Sequence, residues 1–126
     1  MRAAVITHPG GPEVLEIQEV ETSEPVSDQV RVRVRASGIN RADLLQRAGG
    51  YPAPPGSPSN IPGLEFAGEV DAVGPLAGQW QPGQRVMGLV GGGAQAEYVV
   101  THEGLLVAIP DNLDFIQASG VPEAFI

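Results

Sequence analysis

Apolar residues occur along this chain in short runs, and turn-forming residues separate the runs. In the clearest run, Val30, Val32 and Val34 alternate with three arginines, which is the period of two typical of a half-buried β-strand. Further strands are predicted at residues 3–7, 14–20, 65–73, 85–90, 96–101 and 105–109. Because 17 glycines and 12 prolines punctuate the sequence, the pattern favours a mainly β fold.

Helical patterns are few and short. Residues 41–47 have helical spacing, and Asn40 followed by Asp43 resembles a variant capping box at the start of that helix. A second helix is predicted to start near Asp114. No C-cap signal follows it before Ile126, so we expect the C-terminal end of the domain to be truncated.

Composition excludes several classes of function. Seven basic residues against fifteen acidic ones give a formal charge of -8, which repels nucleic acid and anionic membranes. The absence of cysteine excludes disulfides, thiolate catalysis and Cys-based zinc sites, and all seven basic residues are arginine, so lysine chemistry is excluded too. With no export signal and no apolar run of about 18 residues, a cytoplasmic location is expected.

Two patterns have a functional and a structural interpretation. The alternating arginines suggest an anion site, but a solvated strand face is favoured. Residues 91–96 fit a G-x-G-x-x-A nucleotide motif, with Asp111 twenty residues further on. The helix that such a motif requires would contain Tyr98, Val99 and Val100, so a turn is favoured instead. His8 and His102 lie in predicted loops without a second ligand nearby, and no metal role is expected for them.

Separated motifs resemble one known family. They are Asn-Arg-Ala-Asp-Leu-Leu-Gln-Arg at 40–47, Gly-Tyr-Pro at 50–52, Pro-Gly-Leu-Glu at 62–65 and the segment 91–99. The chain resembles the zinc-independent quinone oxidoreductases of the medium-chain dehydrogenase/reductase superfamily, and among them the tumour-suppressor-inducible type. One departure is Gln84, where the family usually has Asp in a turn.

The resemblance implies a mainly β, GroES-like, partly open β-barrel with a few short helices. Residues 1–126 would be the substrate-side, N-terminal domain, without the Rossmann domain that holds most of the cofactor. The family transfers hydride from NADPH to quinones without a metal. By itself, this chain is expected to be inactive, and the full-length form is expected to be a homo-oligomer. A free-standing GroES-like binding or assembly module is the alternative.

The resemblance also implies a site. Asn40 and Leu64 stand where the zinc enzymes have metal ligands, and Ala42 stands where those enzymes have a proton-relay hydroxyl. No metal is therefore expected. Asn40 and Tyr51 would be catalytic residues, and Asn40 and Arg41 would bind the cofactor.

Each candidate also has a structural interpretation. Asn40 would cap a helix, and Tyr51 would anchor the proline-rich loop of residues 52–62. Asp43 would bond backbone at the helix start, and Glu65 would be the buried partner of an arginine.

Overall fold

Two antiparallel sheets and short helices make up the computed structural model, which describes residues 1–58 and 60–126. The strands are β1 (Arg2–Ile6), β2 (Leu15–Glu19), β3 (Gln29–Ser37), β4 (Glu65–Val73), β5 (Arg85–Leu89), β6 (Tyr98–His102) and β7 (Leu106–Ala108). The α-helices are α1 (Arg41–Ala48), α2 (Phe115–Ser119) and α3 (Pro122–Phe125), and 3-10 turns cover Pro12–Val14 and Glu103–Leu105. Ser59 of the proline-rich loop lies outside the described residues.

The sheet topology confirms the predicted open barrel. The larger sheet has the order β6-β3-β4-β5-β7, and β1 pairs with β2 in a separate two-stranded sheet. A single bridge between Ala3 and Ala96 connects β1 to the segment before β6. The sheets are therefore not closed into a full barrel, and β1 packs in a core cluster of its own that includes Ala3 and Val5. None of the helices in the described part of the chain has the length and apolar composition of a membrane span.

The alternating strand β3 packs as predicted. Val30 and Val32 are fully buried and contact a core that contains Phe66 and Val86. On the opposite face, the Arg31 Nε donates to Asp71 at 2.7 Å, and this hydrogen bond raises the pKa of Arg31 above its ordinary value. Arg35 likewise pairs with Glu69 at 2.6 Å, so two of the three arginines on this face already meet carboxylates, as expected of a solvated strand face.

The structure differs from the predictions mainly at the ends of elements. The strands predicted at 14–20 and 105–109 each begin one residue later, because Val14 and Leu105 are the last residues of the 3-10 turns Pro12–Val14 and Glu103–Leu105. His102 was predicted in a loop, but it is the last residue of β6 and its Nδ1 lies 2.8 Å from the Asp28 carboxylate. The helix predicted near Asp114 begins at Phe115, whereas α3 was not predicted.

The triple glycine at 91–93 lies under the proline-rich loop. A side chain on Gly91 would overlap Ser57, and one on Gly93 would lie 3.0 Å from Pro58. Strand β6 follows instead of the helix that a dinucleotide motif requires. The glycines thus allow the loop to approach the barrel closely, which agrees with the interpretation of this segment as a turn.

The atypical residue Gln84 makes the turn contact that was in doubt. Its Oε1 accepts a hydrogen bond from the backbone N–H of Gln81 at 2.7 Å. A glutamine oxygen therefore takes the place of the carboxylate expected from the family.

Candidate active site around the start of helix α1

Asn40 is the N-cap residue of α1, as predicted from its spacing to Asp43. Its backbone N–H donates to Asp43 Oδ2 at 2.9 Å, which forms one half of a capping box. The Asn40 side chain faces the Asp43 backbone N–H, which is the other half of the capping box. Its amide nitrogen Nδ2 donates to Glu65 Oε1 at 3.2 Å.

Asp43 joins the start of α1 to the segment before β4. Its side chain is buried, and its Oδ1 accepts the backbone N–H of Gly63 at 2.9 Å. Both carboxylate oxygens of Asp43 thus satisfy backbone donors, which confirms its predicted structural role. The contact also brings the Pro-Gly-Leu-Glu motif against Asn40.

The buried carboxylate of Glu65 accepts hydrogen bonds from two separate segments of the chain. Oε1 accepts from Asn40, and Oε2 accepts the backbone N–H of Glu123 at 2.9 Å. The predicted arginine partner is wrong, because the unpredicted helix α3 brings a backbone donor to the position where an arginine was expected. Glu123 is the contact that sequence analysis missed, since a backbone group has no signature in the sequence.

Because Gly38 has no side chain, the Glu65 side chain can lie directly against it. A Cβ at position 38 would lie 2.7 Å from Glu65 Cδ. Because both oxygens of Glu65 are hydrogen-bonded, a shift of its side chain away from position 38 would strain or break these bonds. The glycine is therefore a requirement of this arrangement.

Gly63 is required by its backbone conformation as well as by space. Its φ is 114°, and a Cβ there would lie 2.6 Å from the backbone nitrogen of Gln95. We expect Gly63→Ala to lower the free energy of unfolding by about 1–3 kcal/mol, as measured by urea denaturation. Gly78→Ala is the control, since no atom lies near its added methyl group. Equal effects of the two changes would contradict the assignment.

The other predicted site residues lie on both ends of α1. Arg41 is the first residue of the helix and is exposed, without an ion-pair partner among the described residues. Tyr51 follows the C-cap Gly49 and is half-buried. No hydrogen bond joins Tyr51 to Asn40, both of which are described residues, and the two predicted catalytic residues lie beyond opposite ends of α1.

The residues at the zinc-ligand positions offer a poor set of donors. Leu64 is 7% exposed, and its side chain has no atom able to bind a metal. Among the described residues, no cluster of three or more His, Cys, Asp or Glu side chains is placed to hold an ion.

The antiparallel order of the sheets and the cap-centred cluster of Asn40, Asp43 and Glu65 define a GroES-like, partly open barrel domain. The chain belongs to the alcohol dehydrogenase GroES-like domain family, whose sequence model matches residues 26–111.

Sequence similarity to named proteins supports the predicted resemblance to quinone oxidoreductases. A Pseudomonas aeruginosa protein named quinone oxidoreductase is 48% identical over 113 residues, which are 89% of this chain and 34% of that protein. A human protein named synaptic vesicle membrane protein VAT-1 homolog-like is 36% identical over 126 residues, which are 100% of this chain and 30% of that protein. The chain thus spans about a third of the length of these relatives.

Solved structures show the same domain. The human VAT-1 homolog-like protein has a TM-score of 0.92 at 36% identity, covering 99% of this chain and 40% of that one. The Escherichia coli quinone oxidoreductase complexed with NADPH has a TM-score of 0.85 at 30% identity, covering 94% of this chain and 36% of that one. The predicted fold and family are therefore confirmed.

Proposed function

We propose that this chain is the substrate-side domain of an NADPH-dependent quinone oxidoreductase that works without a metal. The observation that carries the proposal is the 48% identity to the Pseudomonas aeruginosa quinone oxidoreductase. In the full-length protein, a Rossmann domain outside these 126 residues would form the other wall of a cleft, and the assembly would be a cytoplasmic homo-oligomer.

The residues at the start of α1 are the proposed contacts for part of the dinucleotide. Arg41 is an exposed cation at the first residue of an eight-residue helix, where a phosphate would meet both its guanidinium and the helix N-terminus. Asn40 lies next to it, and its side-chain amide donates to Glu65 Oε1 at 3.2 Å. The pair would bind the cofactor and orient its reactive ring.

In the proposed reaction, this domain positions the quinone and donates hydrogen bonds to it. NADPH supplies the hydride when bound, and a quinone that accepts one hydride and one proton becomes a hydroquinone. The hydroxyl of Tyr51 would donate a hydrogen bond to a quinone oxygen and stabilise the negative charge that develops there. Since that charge is spread over the ring, positioning and one or two donors suffice, and no step requires a metal.

The isolated chain tests whether catalysis requires both domains. In Rossmann domains the pyrophosphate lies at a glycine-rich helix N-terminus, whereas the glycine segment 91–96 of this chain leads into strand β6. We expect the purified 126-residue chain to show no saturable reduction of 1,4-benzoquinone by NADPH. Saturable turnover by this chain would contradict a function shared between two domains.

A fusion tests the activity itself. This chain would replace the matching N-terminal third of the Pseudomonas aeruginosa relative, and NADPH oxidation would be followed with 1,4-benzoquinone. We expect turnover that survives dialysis against EDTA, with no stoichiometric zinc by elemental analysis. A folded but inactive fusion, or activity lost to EDTA and restored by zinc, would rule out the proposal.

The two tyrosines of the chain provide a matched pair of variants in this fusion. Tyr51→Phe removes the proposed donor, so we expect kcat to fall roughly 10-fold, the value of one hydrogen bond of about 1.4 kcal/mol. Tyr98→Phe is the control, because Tyr98 lies on β6 with Arg31 above its ring. Equal kcat values for the two variants would remove Tyr51 from the site.

A further inference from the structure

The buried carboxylate of Glu65 connects two segments that are far apart in sequence. Asn40 lies at the start of α1, and Glu123 lies in the first turn of α3. Their donors, a side-chain amide and a backbone N–H, reach separate oxygens of Glu65 at 3.2 Å and 2.9 Å. With 4% exposure, the carboxylate has little access to water that could replace either contact.

We infer that Glu65 is a positioning residue that clamps the Asn40 amide in one orientation. Nδ2 is held by the carboxylate, which leaves the amide oxygen toward the first turn of α1, where N–H groups favour it. The inference rests on the proposed function, because only that function makes the orientation of the amide matter to a cofactor.

The clamp requires a group with two acceptors. A glutamine at position 65 has one oxygen and one NH₂ group, so it can accept from Glu123 or from Asn40 but not from both in the observed geometry. Whichever donor takes the oxygen, the other faces the NH₂ group. The Asn40 amide must then rotate or lose its partner, although the size of the side chain is unchanged.

A reciprocal exchange of the amide and the carboxylate restores both hydrogen bonds, and only the bond between positions 40 and 65 is reversed in direction. In the double variant Glu65→Gln/Asn40→Asp, the introduced glutamine accepts from Glu123 and donates to the introduced aspartate. Aspartate caps a helix about as well as asparagine, and the net charge is unchanged. Alone, Asn40→Asp places two carboxylates next to each other in a buried site and is unfavourable.

The clamp itself is tested on the 126-residue chain. We expect Glu65→Gln to move the side-chain amide NMR signals of Asn40 and to lower Tm by roughly 3–8 °C. Asn40→Asp lowers Tm as well, and the double variant recovers most of the loss. Glu69→Gln is the control, since this glutamate on the same strand makes a partly exposed ion pair with Arg35. Unchanged Asn40 signals in Glu65→Gln, or additive losses in the double variant, would overturn the clamp.

The positioning role is tested in the fusion enzyme. We expect Glu65→Gln to lower kcat/KM for NADPH-dependent reduction of 1,4-benzoquinone by roughly 10- to 100-fold, the effect of a small misplacement. The double variant should recover stability but not activity, since it has no amide at position 40. Full recovery of activity would show that Glu65 is only structural.

Failure of the inference and failure of the proposed function give different results. If the fusion is active and Glu65→Gln changes neither the NMR signals nor kcat/KM, the clamp is wrong and the proposed function stands. If the clamp tests succeed on the isolated chain while the unmodified fusion is folded but inactive, the proposed function is wrong.

Discussion

Replacement of Phe66 by alanine is expected to lower the free energy of unfolding by about 3–5 kcal/mol, the largest loss among the single changes considered. Phe66 is the largest fully buried side chain in the described residues, and it belongs to the core cluster of the larger sheet with Val30, Val32 and Val86. A domain of this size has a total stability of about 5–15 kcal/mol. Urea denaturation of the 126-residue chain measures the change.

The chain contains its own control for this prediction. Phe125 is 80% exposed, so Phe125→Ala should change the free energy of unfolding by no more than about 0.5 kcal/mol. Phe66→Leu should fall between the two, because it keeps part of the buried volume. Similar losses for Phe66→Ala and Phe125→Ala would mean that the core is not centred on Phe66.

Replacement of Asp43 by alanine is expected to cost about 2–4 kcal/mol, since it leaves two backbone N–H groups without their acceptor. Those groups belong to Asn40 and Gly63, and the carboxylate that they share is 5% exposed. The amide hydrogens of these two residues should exchange with solvent much faster in the variant. Hydrogen exchange by NMR therefore reports the local loss, and urea denaturation reports the global one.

Asp43→Asn separates the acceptor role of Asp43 from its packing. The introduced amide keeps the volume but has one acceptor for two donors, so its cost should lie between zero and that of Asp43→Ala. Asp111→Ala is the surface control, because Asp111 is exposed. If Asp43→Ala costs no more than Asp111→Ala, the link between α1 and the segment before β4 is not structural.

The helix-cap contacts of the site could be predicted from the sequence, because a helix cap involves residues that are close together in the chain. Asn40 and Asp43 are three residues apart, so their backbone contacts depend on the start of one helix. Arg41 and Tyr51 were placed by resemblance alone, and their roles toward cofactor and quinone stay predictions. The contacts of Glu65 could not be predicted, since they join residues 25 and 58 positions apart in sequence.

By itself, the sequence determined the mainly β fold, the buried face of β3 and the cap of α1, because period-two alternation and cap spacing are properties of neighbouring residues. Only the tertiary structure decided what Glu65 holds and why Gly91–Gly93 lies under a proline-rich loop. Both depend on strand order and on the position of α3, which bring together groups that no local pattern connects.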